Sequence, residues 1–388
     1  MIKIFHIADL HLDSPFSGGD IRRSEKGRSR LREVFRRMMR HVREIGYDLV
    51  LIAGDLYDCG FVTEETAALL KSEFELLSCP VVISPGNHDP YIKGSLYSCI
   101  TFSDNVHIFT SEKTERFDFD NLGVSVYGYA FTDSVYRSNP LGGMLTDGDR
   151  INILCAHTEL NAPLSPYAPM TGADIEQAGF TYAALGHVHR NIEVMRTESC
   201  VCAYSGVAEG RAFDELGRGG ALSVSIFETG ERADVKTEKL SFSGYSFEII
   251  RQNVTYMRND EEIADAIRAV ISEKGYGANN ALRVILEGFI DMNFSPNTAL
   301  IARKCSFAVD HIEVKDNTLP LENSEALERD ITIRGEFYRT LKERMSAGDE
   351  RERTLAGTAL RIGLAALEGR ELSVFLPGEI ENDEESEA

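Results

Sequence analysis

The sequence predicts a layered α/β fold, and three observations predict it. Short continuous apolar runs, rich in Val, Ile and Leu, recur through roughly the first 230 residues. Loops and segments of helical period separate them, an alternation that builds strands and helices into layers. The length of 388 residues exceeds one ordinary domain, so two domains are expected.

The elements follow in order. Ile2–Ala8, Leu49–Ala53, Val81–Ser84, Val124–Gly128, Ile151–Ala156, Tyr182–Leu185 and Val201–Tyr204 read as buried strands. Leu222–Phe227 alternates Leu, Val and Ile with Ser and reads as half-exposed. Between the first two strands, Leu31, Val34, Phe35, Met38, Met39, Val42 and Ile45 recur at helical spacing, and Gly46 ends that helix. A second helix follows Thr63. The pattern changes near Ser241–Tyr245. Phe247–Val254 then reads as a strand, Asp260–Lys274 as a helix and Leu282–Glu287 as a strand, while Glu336–Gly369 is helical and charged. The expected divisions are 1–240, 241–335, 336–370 and an acidic, disordered tail over 371–388.

Bulk properties exclude several classes. No apolar run approaches the ~20 residues that span a bilayer. The N-terminus Met1–Ile7 runs straight into a polar cluster, unlike a signal peptide. Seven scattered cysteines, with Cys200 and Cys202 the only close pair, read as reduced thiols of a cytoplasmic protein. A formal net charge of −21 argues against holding nucleic acid by bulk electrostatics. Part of it lies in the last ten residues, which carry six acids and no Lys or Arg.

Five polar clusters sit at the ends of apolar runs: Asp9-Leu10-His11, Gly54-Asp55, Gly86-Asn87-His88-Asp89, His157 and Gly186-His187-Val188-His189. Asp9 and His11 are two apart, so a strand would place them on one face where they chelate one ion; His187 and His189 repeat the device. Gly54 lets the chain turn so that Asp55 bridges two cations. Asn87 is a neutral oxygen ligand. A lone Asp-x-His is more often an accident of surface or core, but five such clusters in order at strand ends point to metal. Mixed Asp, Asn and His suit Mn²⁺, Fe or Zn²⁺ better than Ca²⁺, with Mg²⁺ a further candidate. Two such ions bind a phosphate and activate a hydroxide for phosphoester hydrolysis. His88 is expected to contact or protonate the substrate, with Asp89 orienting its ring. Asp58 holds either a supporting place or a plain loop position. His6 reads as a buried, satisfied histidine, and His41, His107 and His311 as structural or solvated.

These blocks resemble the calcineurin-like metallophosphoesterase superfamily, whose pattern is D-x-H, GD, GNH[DE], H, GHxH; the match covers roughly residues 1–230. Phe5–Leu12, Tyr182–His189, Tyr204-Ser205-Gly206, Gly210–Glu215 and Gly219-Gly220 are further similar to the nuclease subunit of the bacterial SbcCD complex, closest to its YhaO-like branch. The resemblance implies a β-sandwich flanked by helices, a capping domain, and C-terminal helices that dock on an SbcC-like coiled-coil ATPase, with a homodimer also implied. It assigns Asp9, His11, Asp55 and His189 to one metal, Asp55, Asn87, His157 and His187 to the other, and His88 to the transition state. Many archaeal and eukaryotic members carry a second catalytic histidine where this chain has Asp58.

The expected activity is therefore that of a dimetal DNA exonuclease or endonuclease of DNA repair, with Mn²⁺ the favoured metal. Alternatives are a phosphodiesterase or phosphatase on a small nucleotide, because the same blocks serve many substrates, and a non-catalytic scaffold for an ATPase partner. For DNA, the one basic run lies at residues 22–43; it is either a solvated helix face or a phosphate track through Arg22, Arg23, Arg28 and Arg30.

Overall fold

The computed structural model describes residues 1–15, 21–229, 232–291, 294–320, 324–347, 349–367 and 369. The tail expected over 371–388 lies outside these, as do the side chains of Arg22 and Arg23. The chain packs as two units, one spanning Met1–Phe247 and one beginning at Glu248.

The first unit runs β1 (Ile2–Ile7), α1 (Ile21–Ile45), β2 (Leu49–Ile52), α2 (Glu64–Glu75), β3 (Val81–Ile83), α3 (Leu96–Cys99), β4 (Val106–Ile108), β5 (Glu115–Phe119), β6 (Val124–Gly128), β7 (Ile151–His157), α4 (Gly172–Ala178), β8 (Tyr182–Gly186), β9 (Ile192–Arg196), β10 (Val201–Tyr204), β11 (Gly220–Thr229) and β12 (Arg232–Ser241). They form two six-stranded mixed sheets, ordered β12-β11-β1-β2-β3-β4 and β5-β6-β7-β8-β10-β9. In each, four adjacent strands run parallel; antiparallel β11 and β12 flank one side of the first sheet, whose other edge is parallel β4, and antiparallel β5 and β9 close the second.

Strand alternation explains the layers. Ile4, Leu49, Leu51 and Val82 of the first sheet meet Val126, Ile153, Cys155 and Ala184 of the second in one apolar core. The opposite faces are covered too. Phe5, Ile7, Val50 and Ile52 pack on Leu31, Phe35 and Met38 of α1 and Phe74 of α2. Leu154, Ala183 and Leu185 pack with Ile175 of α4. Parallel strands buried on both faces read as unbroken apolar runs, which is why they were legible. Residues of β11 alternate between buried and half-buried as expected. Edge strands β4, β5, β9 and β12 are short or mostly polar, and the sequence pattern did not reveal them.

Two helix ends are chemically simple. Thr63 caps α2, accepting from the Thr66 amide. Thr171 and Asp174 form a capping box on α4.

The second unit holds β13 (Ser246–Asn253), α5 (Asp260–Lys274), β14 (Asn280–Glu287), β15 (Phe289–Ile290), α6 (Thr298–Cys305), β16 (His311–Asp316), β17 (Leu319–Pro320), α7 (Ser324–Arg329), α8 (Ile333–Ala347) and α9 (Glu350–Leu367). Strands β13-β14-β16 form a sheet on which Ile263, Ile267 and Ile271 of α5 and Ile301 of α6 pack. Leu327, Leu360 and Leu364, flanked by Phe337 and Leu341, make a small separate cluster among the last three helices. Among the described residues, no helix is long and apolar enough to cross a membrane.

Candidate metal centre

The predicted ligand residues lie at or just beyond the carboxyl ends of parallel strands β1, β2, β3, β7 and β8, the usual place for a site in an open α/β sheet. The structure corrects how they get there. β1 ends at Ile7, and Asp9 (φ 51°) and His11 (φ 47°) both adopt the left-handed conformation. They therefore do not share a strand face. Asp55 (φ 53°) and His187 (φ 102°) are left-handed as well, so the His187/His189 pair is not a strand device either. Left-handed non-glycine residues cost free energy and cluster at functional sites. Here the conformation is imposed by the neighbouring loop: the Asp9 amide donates to the Gly54 carbonyl (3.1 Å), His11 to Asp55 (2.9 Å) and Leu12 to Leu56 (3.0 Å). The first two loops are thus zipped together beyond the ends of their strands.

Two glycines are sterically required. A Cβ on Gly54 (φ 86°) would strike the His157 ring, and one on Gly86 would strike the Asp55 carboxylate.

Asp55 is the hub. Its Oδ2 stands 3.6 Å from His11 Nε2 and 3.4 Å from His157 Nε2, while Oδ1 accepts from the His88 amide at 2.9 Å. His157 Nε2 lies 2.9 Å from Asn87 Oδ1, and His11 Nε2 lies 3.3 Å from His189 Nε2. His187 sets its ring edge-to-face with that of His157, centroids 5.1 Å apart, and its amide donates to both Asp9 oxygens.

The donor chemistry of these atoms is a test of whether a cation fits. His157 Nδ1 is 3.0 Å from the Ala53 carbonyl, which only accepts, so Nδ1 carries the proton and Nε2 presents a lone pair. His11 Nδ1 is 2.7 Å from Asp58 Oδ1, and His189 Nδ1 is 2.8 Å from Glu215 Oε1. Both Nε2 atoms are again lone pairs. Nitrogen and oxygen acceptors therefore face one another inside the protein. Two ligands of one ion, with bonds of about 2.0–2.1 Å and angles of roughly 90–110°, stand roughly 2.9–3.4 Å apart. The observed spacings match that edge length closely enough for divalent cations to fit. Asp9, His11 and His189, and Asp9, Asp55 and His157, each bring ligand atoms within 4.8 Å of one another.

Burial sets the electrostatics. It pushes Asp9 up to about 7, with Asp55 adding to the shift. It would raise Asp55 too, but His157, His11 and His88 together hold that carboxyl below its ordinary value. Burial lowers His11 and His157, and it takes His187 down to about 4. His189 goes the other way: burial pulls it down, but the Glu215 hydrogen bond and the charges of Asp9 and Glu215 together outweigh that. Glu215 itself, despite burial, is held at about 2 by His189 and Arg211.

His88 is half-exposed at the centre's edge, its ring 4.8 Å from that of His11. Asp89 does not orient it. Asp89 is fully buried and accepts from the amides of Asp55, Leu56 and Gly86 and from the Tyr97 hydroxyl, so it braces the loop that carries Asp55. Asp58 faces His88 instead, at 3.4 Å from Nδ1, and raises its pKa. This settles the Asp58 alternative: one carboxylate supports both His11 and His88.

Three supporting groups escaped the sequence. Glu215 holds His189, and Arg211 clamps Glu215 through Nε and Nη2 while reaching Ser14 with Nη1. The Tyr167 ring lies 4.4 Å from that of His187. Glu215 lies within a stretch that carries the resemblance, but nothing in its spacing pointed to His189. The arginines of α1 also differ from expectation. Arg30 is committed to Glu209 (3.0 Å) and lies over the Tyr245 ring (3.7 Å), so its guanidinium is turned inward. Arg32, Arg36 and Arg43 pair with Asp13, Glu33 and Glu73. Arg28 is half-buried and joins no ion pair among the described residues.

Fold and site define a hydrolase whose carboxylate, amide and imidazole groups converge as candidate ligands for divalent cations. Residues 2–191 match the calcineurin-like phosphoesterase family, and the chain carries a metallophosphoesterase domain of that family, making it a metal-dependent hydrolase. It is 28% identical over 301 residues (74% of this chain, 72% of the relative) to a Bacillus subtilis protein named "Uncharacterized metallophosphoesterase YhaO". It is 22% identical over 266 residues (59% and 67%) to the SbcD component of nuclease SbcCD of Staphylococcus epidermidis. It is 24% identical over 239 residues (55% and 50%) to the DNA double-strand break repair protein Mre11 of Methanopyrus kandleri.

Proposed function

We propose that this protein is a phosphodiesterase acting on DNA, a nuclease of the SbcD type, using two divalent ions, with Mn²⁺ the favoured metal. The observation that carries the reading is the set of inward-facing acceptors around Asp55, with His88 beside them at the surface. Asp9, His11, Asp55 and His189 would hold one ion, and Asp55, Asn87, His157 and His187 the other. When bound, such ions neutralise the phosphoryl charge and activate the attacking water. His88 then reaches the phosphoryl group and delivers a proton to the leaving oxygen, with Asp58 holding its ring in place. Asp89 and Tyr97 keep the Asp55 loop rigid.

The named activities of the SbcD and Mre11 relatives support DNA as substrate. On the same basis, residues 1–240 form the catalytic part, 241–335 an accessory part, and 336–370 a helical segment that docks on an SbcC-like ATPase; a homodimer fits the same reading. The net charge of −21 favours a second reading, a phosphodiesterase on a small nucleotide.

The test is degradation of end-labelled linear duplex DNA with Mn²⁺ at low salt, comparing wild type with His88→Ala. Loss of label that needs both the metal and His88 supports the nuclease. Intact DNA together with His88-dependent cleavage of bis(p-nitrophenyl) phosphate, and still intact DNA after adding an ATPase partner, would shift the assignment to the small nucleotide.

A further inference from the structure

Beside His189 the first unit opens a cleft of about 370 Å³. His189 and Glu215 are among its lining residues, so the cleft meets the metal centre at His189. Arg190, Arg218 and Lys239 also line it. These three come from different places: the loop after β8, the turn before β11, and edge strand β12. All three are exposed, and none forms an ion pair or hydrogen bond among the described residues. Asp214 is the one opposing carboxylate on the lining besides Glu215, which is already held by Arg211 and His189.

Acids exceed bases, and Arg30, Arg32, Arg36, Arg43, Arg116, Arg150 and Arg196 are each matched to a carboxylate. Three converging exposed cations in a concave site draw anions, because the cleft focuses their field. The flexible Lys and the forked Arg both suit phosphate oxygens.

We propose that this cleft is a phosphate subsite, taking the substrate phosphate next to the one that sits over the metal centre. The assignment rests on the phosphodiesterase reading and adds to it a preference for substrates with more than one phosphate, as in a polynucleotide strand.

The test is competition against hydrolysis of bis(p-nitrophenyl) phosphate, a single-phosphate ester, in the full-length protein with Mn²⁺. The inhibitors are thymidine 5′-monophosphate and a short oligothymidylate; the variants are Arg218→Ala/Lys239→Ala and the charge reversal Arg218→Glu/Lys239→Glu. In the double alanine variant, inhibition by the oligomer weakens about tenfold and its salt slope falls by about 0.7 for each phosphate no longer neutralised. The charge reversal weakens it further, while the mononucleotide Ki and the kcat on the ester stay at wild-type values. Equal oligomer Ki values in wild type and both variants would overturn the subsite and leave the phosphodiesterase reading standing. Loss of kcat on the ester would overturn it as well, by showing that these residues merely support His189. An inert wild type would defeat the hydrolase mechanism instead; fluorescence anisotropy of the labelled oligomer, wild type against variants, then decides the subsite alone.

Discussion

His6 and His157 are both fully buried near the seam between the two sheets, one inside β1 and one at the end of β7. Each places one ring nitrogen on a backbone carbonyl: His6 Nε2 on Leu185 (3.2 Å) and His157 Nδ1 on Ala53 (3.0 Å). The second nitrogen separates them. His6 Nδ1 meets the Tyr182 hydroxyl at 2.9 Å, a group that can donate, so the ring is satisfied as it stands. His157 Nε2 meets only the oxygens of Asn87 and Asp55. Burial and residue type do not distinguish a structural histidine from a candidate ligand. What the free lone pair faces does.

Asp55→Asn gives the largest effect, because it weakens the acceptor set on both sides of the hub. Losing several kcal/mol of charge stabilisation at the phosphoryl group corresponds to roughly a thousandfold in kcat/KM at 1.36 kcal/mol per decade. The readouts are ester hydrolysis and metal content by plasma emission spectroscopy after dialysis against trace Mn²⁺. A variant that keeps two ions per chain would show that Asp55 is not the shared ligand. His6→Gln, the matched control, retains both ions.

Glu215→Gln comes next. It leaves His189 in place but replaces the charged acceptor on Nδ1, so Nε2 becomes a poorer ligand. Supporting partners of this kind change metal affinity by about 10–100-fold. Mn²⁺ titration calorimetry reads the loss directly, and Asp58→Asn should reproduce it through His11. An unchanged affinity in both would mean that the carboxylates serve only the loops.

How much was visible beforehand follows from the same chemistry. The parallel strands are buried on both faces, so their unbroken apolar runs marked them to within a residue of Leu49–Ile52 and Ile151–His157. The candidate residue types were legible because Asp, Asn and His stand directly after such runs. Backbone conformation was not. The left-handed turns at Asp9 and His11 come from pairing with the Gly54–Leu56 loop, a contact between segments over forty residues apart. Partner choice was equally hidden. Adjacency suggested Asp89 for His88, yet folding carried Asp89 inward to three amides and a tyrosine and brought Asp58 to the ring. Charge was misleading in the same way. Arg30, Arg32 and Arg43 of α1 are neutralised by acids distant in sequence, whereas Arg190, Arg218 and Lys239 come from separated segments to line one cleft.

The smallest effect tests the satisfied member of the pair. Burial lowers the His6 pKa from 6.5 to about 3, so the folded state keeps the ring neutral where the unfolded chain begins to protonate it. The unfolded state then binds more protons below pH 6.5, and stability falls with pH. The contribution is fully present above pH 6.5 and is lost progressively towards pH 3. Between pH 7 and pH 6 it amounts to about 0.7 kcal/mol, and it grows at lower pH. Urea denaturation of metal-free protein at the two pH values measures it as the difference in slope between wild type and His6→Gln, since every other titrating group is common to both. Identical slopes would mean that the ring already shares a proton within the fold. His6 would then join His157 as a histidine whose second nitrogen is not at rest.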